Sequence, residues 1–174
     1  MKAYSRYLPI FALVVFFLSA CGYHNPYVYS GPEKVIYITD WKNRTSELGL
    51  DADIYKTLIR WYQKSGSIKI TKEKQGADLI LAGEIVSINL PSLSYGANNT
   101  TTEVKVRLKV RYILKDLASS KVLIEQPGKE WTQDYLVAST TAATRDNQDE
   151  ALETIIDDLC EQIYQRTLVE LPKL

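Results

Sequence analysis

The segment Glu103–Lys115 limits the possible folds of this 174-residue chain more than any other part of the sequence. Its even-numbered positions are apolar, and its odd-numbered positions are charged except for Ile113. Successive side chains of a β-strand point to opposite faces, so the alternation predicts a strand with one core face and one open face. The core face would comprise Val104, Val106, Leu108, Val110, Tyr112 and Leu114. The open face would display four basic side chains, here called the basic stripe: Lys105, Arg107, Lys109 and Arg111.

Other runs of β-branched, apolar or alternating residues predict four further strands. They are Val35–Thr39, Ser67–Thr71, Ala77–Leu90 and Lys121–Glu125. Gly83, inside the third of these runs, indicates a bulge or a point of close packing. Pro91–Thr102 is polar and is predicted to be a loop. Gln126–Thr144 fits no single element, although Trp131 and Tyr135 are expected to be packing anchors within it.

Two segments have the three- and four-residue apolar spacing of amphipathic helices. The first begins at about Asp51, its predicted N-cap, and ends at Ser65-Gly66. The second follows Asn147, which forms a predicted capping box with Glu150, and continues to about Val169. The element order is therefore β-α-β-β-β-(β)-α. Because both helices need an apolar surface to cover, we predict an α/β (α+β) fold: a two-layer sandwich with two helices on one face of a mostly antiparallel four- or five-stranded sheet.

The first 20 residues are typical of a secretory signal. Lys2 and Arg6 give a short positive region, and the uncharged run Leu8–Leu18 follows. About 11 residues is too short to span a bilayer as a helix, which needs roughly 20. The sequence Leu18-Ser19-Ala20-Cys21 then resembles the lipobox of bacterial lipoproteins, in which the cysteine thiol receives a diacylglyceryl group before cleavage. The alternative is an ordinary signal peptide that is followed by cysteine.

The chain therefore divides into three predicted parts. Residues 1–20 are expected to be a removed signal peptide, residues 21–33 a lipidated tether, and residues 34–170 a single α/β domain. Two or more acyl chains anchor a protein stably, at ~0.8 kcal/mol per buried methylene. In lipoproteins of this kind, Gly22 rather than Asp after Cys21 implies transport to the outer membrane. We accordingly expect a lipid-anchored protein on the periplasmic side of that membrane.

Composition argues against several classes of function. Loss of Lys2 and Arg6 with the signal leaves 19 basic side chains against 21 acidic ones, a net charge of about −2, so no nucleic-acid partner is expected. Once Cys21 carries lipid, Cys160 is the single remaining thiol, and it is expected to be buried. His24 is the single histidine, which leaves no triad and no metal site. We expect no enzyme activity, no metal and no cofactor other than the covalent lipid on Cys21.

Several short motifs follow one another along residues 18–170: Cys21-Gly22-Tyr23, Asn43-x-Thr45-x-Glu47-x-Gly49-Leu50, Ala77-Asp78-Leu79-Ile80-Leu81-x-Gly83-Glu84-Ile85, Leu114-x-Asp116, Lys121-Val122-Leu123 and Asp134-Tyr135. In their order they resemble the motifs of the LptE family, lipoproteins of outer-membrane lipopolysaccharide assembly.

The resemblance implies a specific role. LptE-like proteins are a plug within the β-barrel LptD, help it to fold, and contact lipopolysaccharide through basic residues near the exposed sheet edge. The basic stripe, with Lys129 on the later strand, is the candidate lipopolysaccharide or barrel-facing surface, and Tyr95 is a candidate barrel contact. Charged strand faces are often simply solvated, and that alternative remains. The Pro91–Thr102 loop lacks the basic residue that family members can carry there.

Two other classes of function are compatible with parts of the sequence. One is a regulatory or scaffolding lipoprotein of another envelope machine, such as cell-wall synthesis, since small α/β domains serve several such systems. The other is an envelope hydrolase, which would need a nucleophile with a base or paired carboxylates in a cleft. The tight acidic pairs Asp157-Asp158 and Asp51/Asp53 have the spacing of solvated helix faces.

Overall fold

The computed structural model of the chain describes residues 28–29, 31–96 and 100–173. The predicted signal peptide, the lipobox with Cys21, and most of the tether lie outside these residues. The elements are β1 (Lys34–Ile38), β2 (Lys42–Asn43), α1 (Leu50–Gln63), β3 (Ile68–Thr71), β4 (Leu79–Asn89), β5 (Ser92–Tyr95), β6 (Thr101–Asp116), β7 (Val122–Leu136), α2 (Thr141–Glu170) and a closing 3-10 turn (Leu171–Lys173).

All described strands belong to one sheet built around β6. β4 and β5 follow one another along one edge of β6, and β7 pairs with the other edge. β1 pairs with β4, and β3 pairs with β1.

The strand order corrects one part of the prediction. The sheet is mixed and seven-stranded, because β1 runs parallel to β3 and β4 and β2 runs parallel to β4. Helix α1 lies between β1 and β3 in the chain and provides the crossover that parallel neighbours require.

Both helices cover the same face of the sheet, as predicted. The six core-facing residues of β6 are all buried, whereas the odd-numbered residues of this strand are more exposed. The helices contact each other through aromatic rings: Tyr164 packs edge-on against Tyr62 and lies 6.0 Å from Trp61 between ring centroids. The Tyr62 hydroxyl also lies 2.7 Å from Thr167 Oγ1, so this buried oxygen has a hydrogen-bond partner. The two-layer α+β class is confirmed.

Helix α2 begins six residues before the predicted cap. Thr140 is the N-cap, and its Oγ1 accepts a hydrogen bond from Ala143 N at 3.2 Å. Asn147, the predicted cap, lies inside the helix and instead donates from Nδ2 to the Leu136 carbonyl at 2.8 Å, which ties α2 to the end of β7. The predicted N-cap of α1 is also displaced: Gly49 occupies it with φ +89°, one residue before the helix begins at Leu50.

Gly83 is a point of close packing, as predicted, whereas the irregularity of β4 lies further along, between Ile85 and Ser87. A Cβ on Gly83 would lie 2.4 Å from the Trp41 indole. Trp41 is buried and stacks on Tyr112 with ring centroids 6.5 Å apart. No described helix combines the length and apolarity that a membrane span requires.

Candidate functional site

The basic stripe lies on the face of the sheet that the helices leave uncovered. Strand pairing fixes the neighbours of each member. Lys105 lies beside Asp134 of β7, Arg107 lies between Asn89 and Thr132, Lys109 lies between Ser87 and Glu130, and Arg111 lies beside Glu84 of β4. The four side chains share one face but differ in their partners, and these partners decide which of them can bind a ligand.

Arg111 is held by a buried carboxylate. Its Nε donates to Glu84 Oε2 at 2.8 Å, and Arg44 pairs with the other oxygen of the same carboxylate. Glu84 is only 7% exposed. A buried carboxylate that lost its cations would be strongly destabilising, so we assign Arg111 a structural role in joining β6 to β4.

Lys105 also has a carboxylate partner, but this carboxylate is more exposed than that of Glu84. Its Nζ lies 3.0 Å from Asp134 Oδ1 across the β6–β7 pair. About a quarter of the lysine side chain and two fifths of the aspartate side chain remain exposed. Such half-exposed pairs contribute little to stability and exchange readily with other anions.

Arg107 and Lys109 are the cations available to a ligand. Both are exposed, and neither makes an ion pair within the part of the chain that the structure describes. The Lys109 stem passes close to Gly128, where an added Cβ would lie 3.2 Å from Lys109 Cε. These two side chains, two positions apart on one strand, therefore present adjacent positive charges on the open face.

Lys129 does not join the basic stripe, which corrects the predicted grouping. Its register partner is Val110, so it lies on the helix-covered face. The Lys129 ammonium bonds Gln162 Oε1 of α2 at 2.5 Å and lies 4.7 Å from the centre of the Trp131 ring. The alternation of β7 could not reveal this, because the irregularity between Gln126 and Lys129 shifts the side-chain order.

Tyr95 lies at the end of the sheet where β5 meets β6. Its side chain is 63% exposed, and it belongs to β5, a strand within the segment that was predicted to be a loop. Residues 97–99 of that segment are not among the residues that the structure describes. Leu93 of β5 and Leu136 of β7 are also exposed at this end. The order Ser92, Leu93, Ser94, Tyr95 alternates with period two, a strand signal within the predicted loop.

The opposite end of the open face contains a groove of about 590 Å³. Its apolar floor includes Ala82, Ile113 and Pro127, and charged side chains of both signs surround it. Across the described ranges, no three His, Cys, Asp or Glu side chains are grouped closely enough to hold a metal ion.

The fold and this surface define the class of the protein: a two-layer α+β domain with a basic, uncovered sheet face. The family model described as "LptE: Lipopolysaccharide-assembly" matches residues 34–167. The chain therefore belongs to the LptE family, which confirms the resemblance seen in the sequence motifs. A search of curated proteins finds no sequence match.

Solved structures share this fold at low sequence identity. Lipoprotein B from Nitrosomonas europaea is 17% identical, with a TM-score of 0.54 over 83% of this chain and 88% of that one. A protein from Xanthomonas campestris is 12% identical, with a TM-score of 0.60 over 86% and 91%. A hypothetical protein from Chlamydia trachomatis is 12% identical, with a TM-score of 0.56 over 82% and 100%. At these identities the likeness concerns the fold.

Proposed function

We propose that this chain is a non-enzymatic outer-membrane lipoprotein, attached through lipid on Cys21, that plugs an LptD-type β-barrel and supports its folding. In that position it takes part in the assembly of lipopolysaccharide in the outer leaflet. Membership of the LptE family supports the role in assembly. The uncovered sheet face supports the plug, since a sheet with one free face offers a broad contact surface to an enclosing partner. Neither a metal nor a cofactor is part of this proposal.

The observation that supports the lipopolysaccharide contact is that Arg107 and Lys109 make no ion pair with any residue that the structure describes. Lipid A phosphates are anions that guanidinium and ammonium groups bind through charge-assisted hydrogen bonds. Arg111 and Lys105 already have carboxylate partners. We therefore assign the direct contact to Arg107 and Lys109, with Lys105 as a secondary contributor.

Charge reversal at the two unpaired positions tests this assignment. The Arg107→Glu/Lys109→Glu variant of the lipidated chain should bind purified lipopolysaccharide at least about tenfold more weakly, because two charged hydrogen bonds are replaced by repulsion. Lys72→Glu/Lys74→Glu is the matched control: it makes the same charge change at exposed positions between β3 and β4. Equal losses in the two variants, or no loss in the first, would exclude Arg107 and Lys109 as the binding pair.

The plug is tested separately by affinity purification of the lipidated chain from outer membranes in detergent. We expect an LptD-type barrel to co-purify, and we expect depletion of the chain to impair assembly of that barrel. Recovery of the chain alone, with barrel assembly intact after depletion, would contradict the proposal. A Cys21→Ala variant should fail to reach the membrane fraction if the lipid is attached at this residue.

A further inference from the structure

A second groove lies in the helix layer, on the other side of the molecule from the basic stripe. It has a volume of about 740 Å³ and runs between α1 and the first half of α2. Its floor includes three buried apolar side chains, those of Leu50 of α1 and of Leu152 and Ile156 of α2, whereas its exposed lining is mainly polar. The two helices that form its walls contact each other through aromatic rings further along.

The rim of this groove is strongly acidic. Six carboxylates and three basic side chains line it, and two of the basic ones are already paired: Lys56 with Asp53 and Arg60 with Asp157. Five of the rim carboxylates make no ion pair with any described residue: Glu47, Asp146, Asp149, Glu150 and Glu153. Among the described residues that line the groove, Arg145 is the remaining basic side chain, and it makes no ion pair with any of them. The groove therefore has a net negative potential that attracts cations.

The mouth of the groove contains an exposed apolar side chain. Leu48 is 91% exposed, the largest value among the exposed large apolar residues of the described chain. It precedes Gly49, whose positive φ ends the loop and turns the chain into α1. A single exposed leucine has no special meaning, but one that stands beside an apolar floor and an acidic rim continues the same surface.

We infer that this groove docks a basic segment of a partner protein that carries an apolar side chain among its Lys or Arg residues. Charge complementarity selects the occupant: cations of the segment would pair with the five unpaired carboxylates, while its apolar residue packs against Leu48 and the groove floor. The surface is separate from the sheet face used in the proposed function. The chain would thus have two oppositely charged contact surfaces, one on each layer.

The test uses the full lipidated chain in detergent and a short synthetic peptide of lysine and leucine, with binding measured by calorimetry. We expect Asp149→Asn/Glu150→Gln/Glu153→Gln to weaken binding by about tenfold, because three attractive charges are lost. Leu48→Ser should weaken it by about threefold, because one apolar contact is lost. A peptide with glutamate in place of lysine should not bind.

A matched variant separates the groove from overall charge. Glu73→Gln/Glu125→Gln/Glu130→Gln also removes three negative charges, but from exposed positions outside this groove, and it should retain wild-type binding. Equal weakening in the two triple variants would overturn the proposal, as would absence of peptide binding to the wild-type chain. Dimerisation that the groove variant abolishes would show that a second copy is the occupant, and it would also overturn the proposal. Arg107→Glu/Lys109→Glu should leave peptide binding unchanged, so failure of this inference is distinguishable from failure of the proposed function.

Discussion

Gly83 has no side chain, and this allows the Trp41 ring to pack directly against the backbone of β4. The indole of Trp41 lies against the backbone of β4 at this position, and a Cβ there would lie within 2.4–2.6 Å of three ring atoms. The ring cannot retreat freely, because Trp41 is 3% exposed and stacked on Tyr112. The contact therefore holds the segment between β1 and β2 onto the sheet.

Gly83→Ala should lower the free energy of unfolding by about 1–3 kcal/mol, because the new methyl group overpacks this contact. Urea unfolding of the full chain followed by circular dichroism measures the change. Gly66→Ala is the control: a Cβ at Gly66 would have no heavy atom within 4 Å, so we expect a change within about 0.5 kcal/mol. A Gly83 variant as stable as the Gly66 variant would show that Trp41 relocates without cost.

The basic stripe illustrates what alternation in a sequence can and cannot predict about residues. It correctly places Lys105, Arg107, Lys109 and Arg111 on one open face. It cannot distinguish the paired from the unpaired members, since Glu84 and Asp134 are brought beside β6 by strands that are distant in the sequence. The difference in pairing between Arg111 and Arg107 is therefore a property of the register.

At the scale of elements, the turn between β6 and β7 is fixed by one carboxylate. Asp116 Oδ2 accepts hydrogen bonds from Ser119 N, at 2.7 Å, and from the Ser119 hydroxyl. These bonds favour the charged form and lower the pKa of Asp116 below its usual value. Since β6 and β7 form the longest pairing of the sheet, a well-defined turn keeps this hairpin in register.

Asp116→Asn should destabilise the chain by about 1 kcal/mol at pH 7, because the bonds to a charged acceptor are weakened. The folded-state pKa of Asp116 is lowered, so its contribution is complete above the unfolded-state pKa of about 4 and disappears as the pH falls through the folded-state pKa. The difference between wild type and variant should accordingly shrink as the pH approaches about 2. Urea unfolding at both pH values measures it, with the exposed Asp158→Asn as control. A difference independent of pH would contradict this account.

Most elements were predictable from the sequence because their alternating or helical patterns are regular over many residues. β6, β4 and both helices follow from alternation or from three- and four-residue spacing. The parts that could not be predicted depend on contacts between distant residues. β7 continues through Pro127 and Gly128 to Leu136 because β6 provides a partner along its whole length. The parallel placement of β1 likewise depends on which edge of β4 it meets.

The surfaces were predictable to different degrees. The open face and its charge follow directly from β6. The exclusion of Lys129 depends on the irregularity in β7 and on Gln162 of α2, so local pattern could not provide it. The acidic groove combines a loop and two helices that lie about a hundred residues apart in the sequence. The sequence alone indicated only neighbouring carboxylates, which are typical of solvated helix faces.

At the scale of the whole molecule, the accessibility of the Cys160 thiol indicates whether the two helices remain packed together. It is fully buried between the helices, with Sγ 3.7 Å from the Ile54 carbonyl oxygen. Burial raises the pKa of the Cys160 thiol, and the nearby Asp157 carboxylate raises it further. Since the thiolate is the reactive species, both effects suppress its chemistry in the folded state.

Thiol labelling of the full chain should therefore proceed only through unfolding. We expect the free energy of opening obtained from labelling rates to agree within about 1 kcal/mol with the value from urea unfolding. A much smaller opening free energy would show that α1 and α2 separate locally. The Cys160→Ala variant is the control; it should not be labelled at all if Cys21 is acylated, and labelling of that variant would contradict the proposed anchor.

The two layers carry opposite charge, so the charge distribution of the molecule is asymmetric. Helix α2 contains eight acidic and two basic side chains, whereas the open face of β6 is dominated by the basic stripe. An oppositely charged surface would orient the domain before contact is made. A partner that encloses the sheet can thus leave the helix layer available to a second protein.

The separate surroundings of the tryptophans have an optical consequence. Trp41 stacks on Tyr112 beside β4, Trp131 lies under the ammonium of Lys129 on β7, and Trp61 lies within the helix layer. The Trp61 indole donates to Asp157 at 2.9 Å, and the ammonium of Lys64 lies 3.1 Å from its ring centre. Indole emission depends on nearby charge, so each layer contains its own intrinsic fluorophore. Variants that retain a single tryptophan would therefore follow events at the helices and at the sheet separately, without an added label.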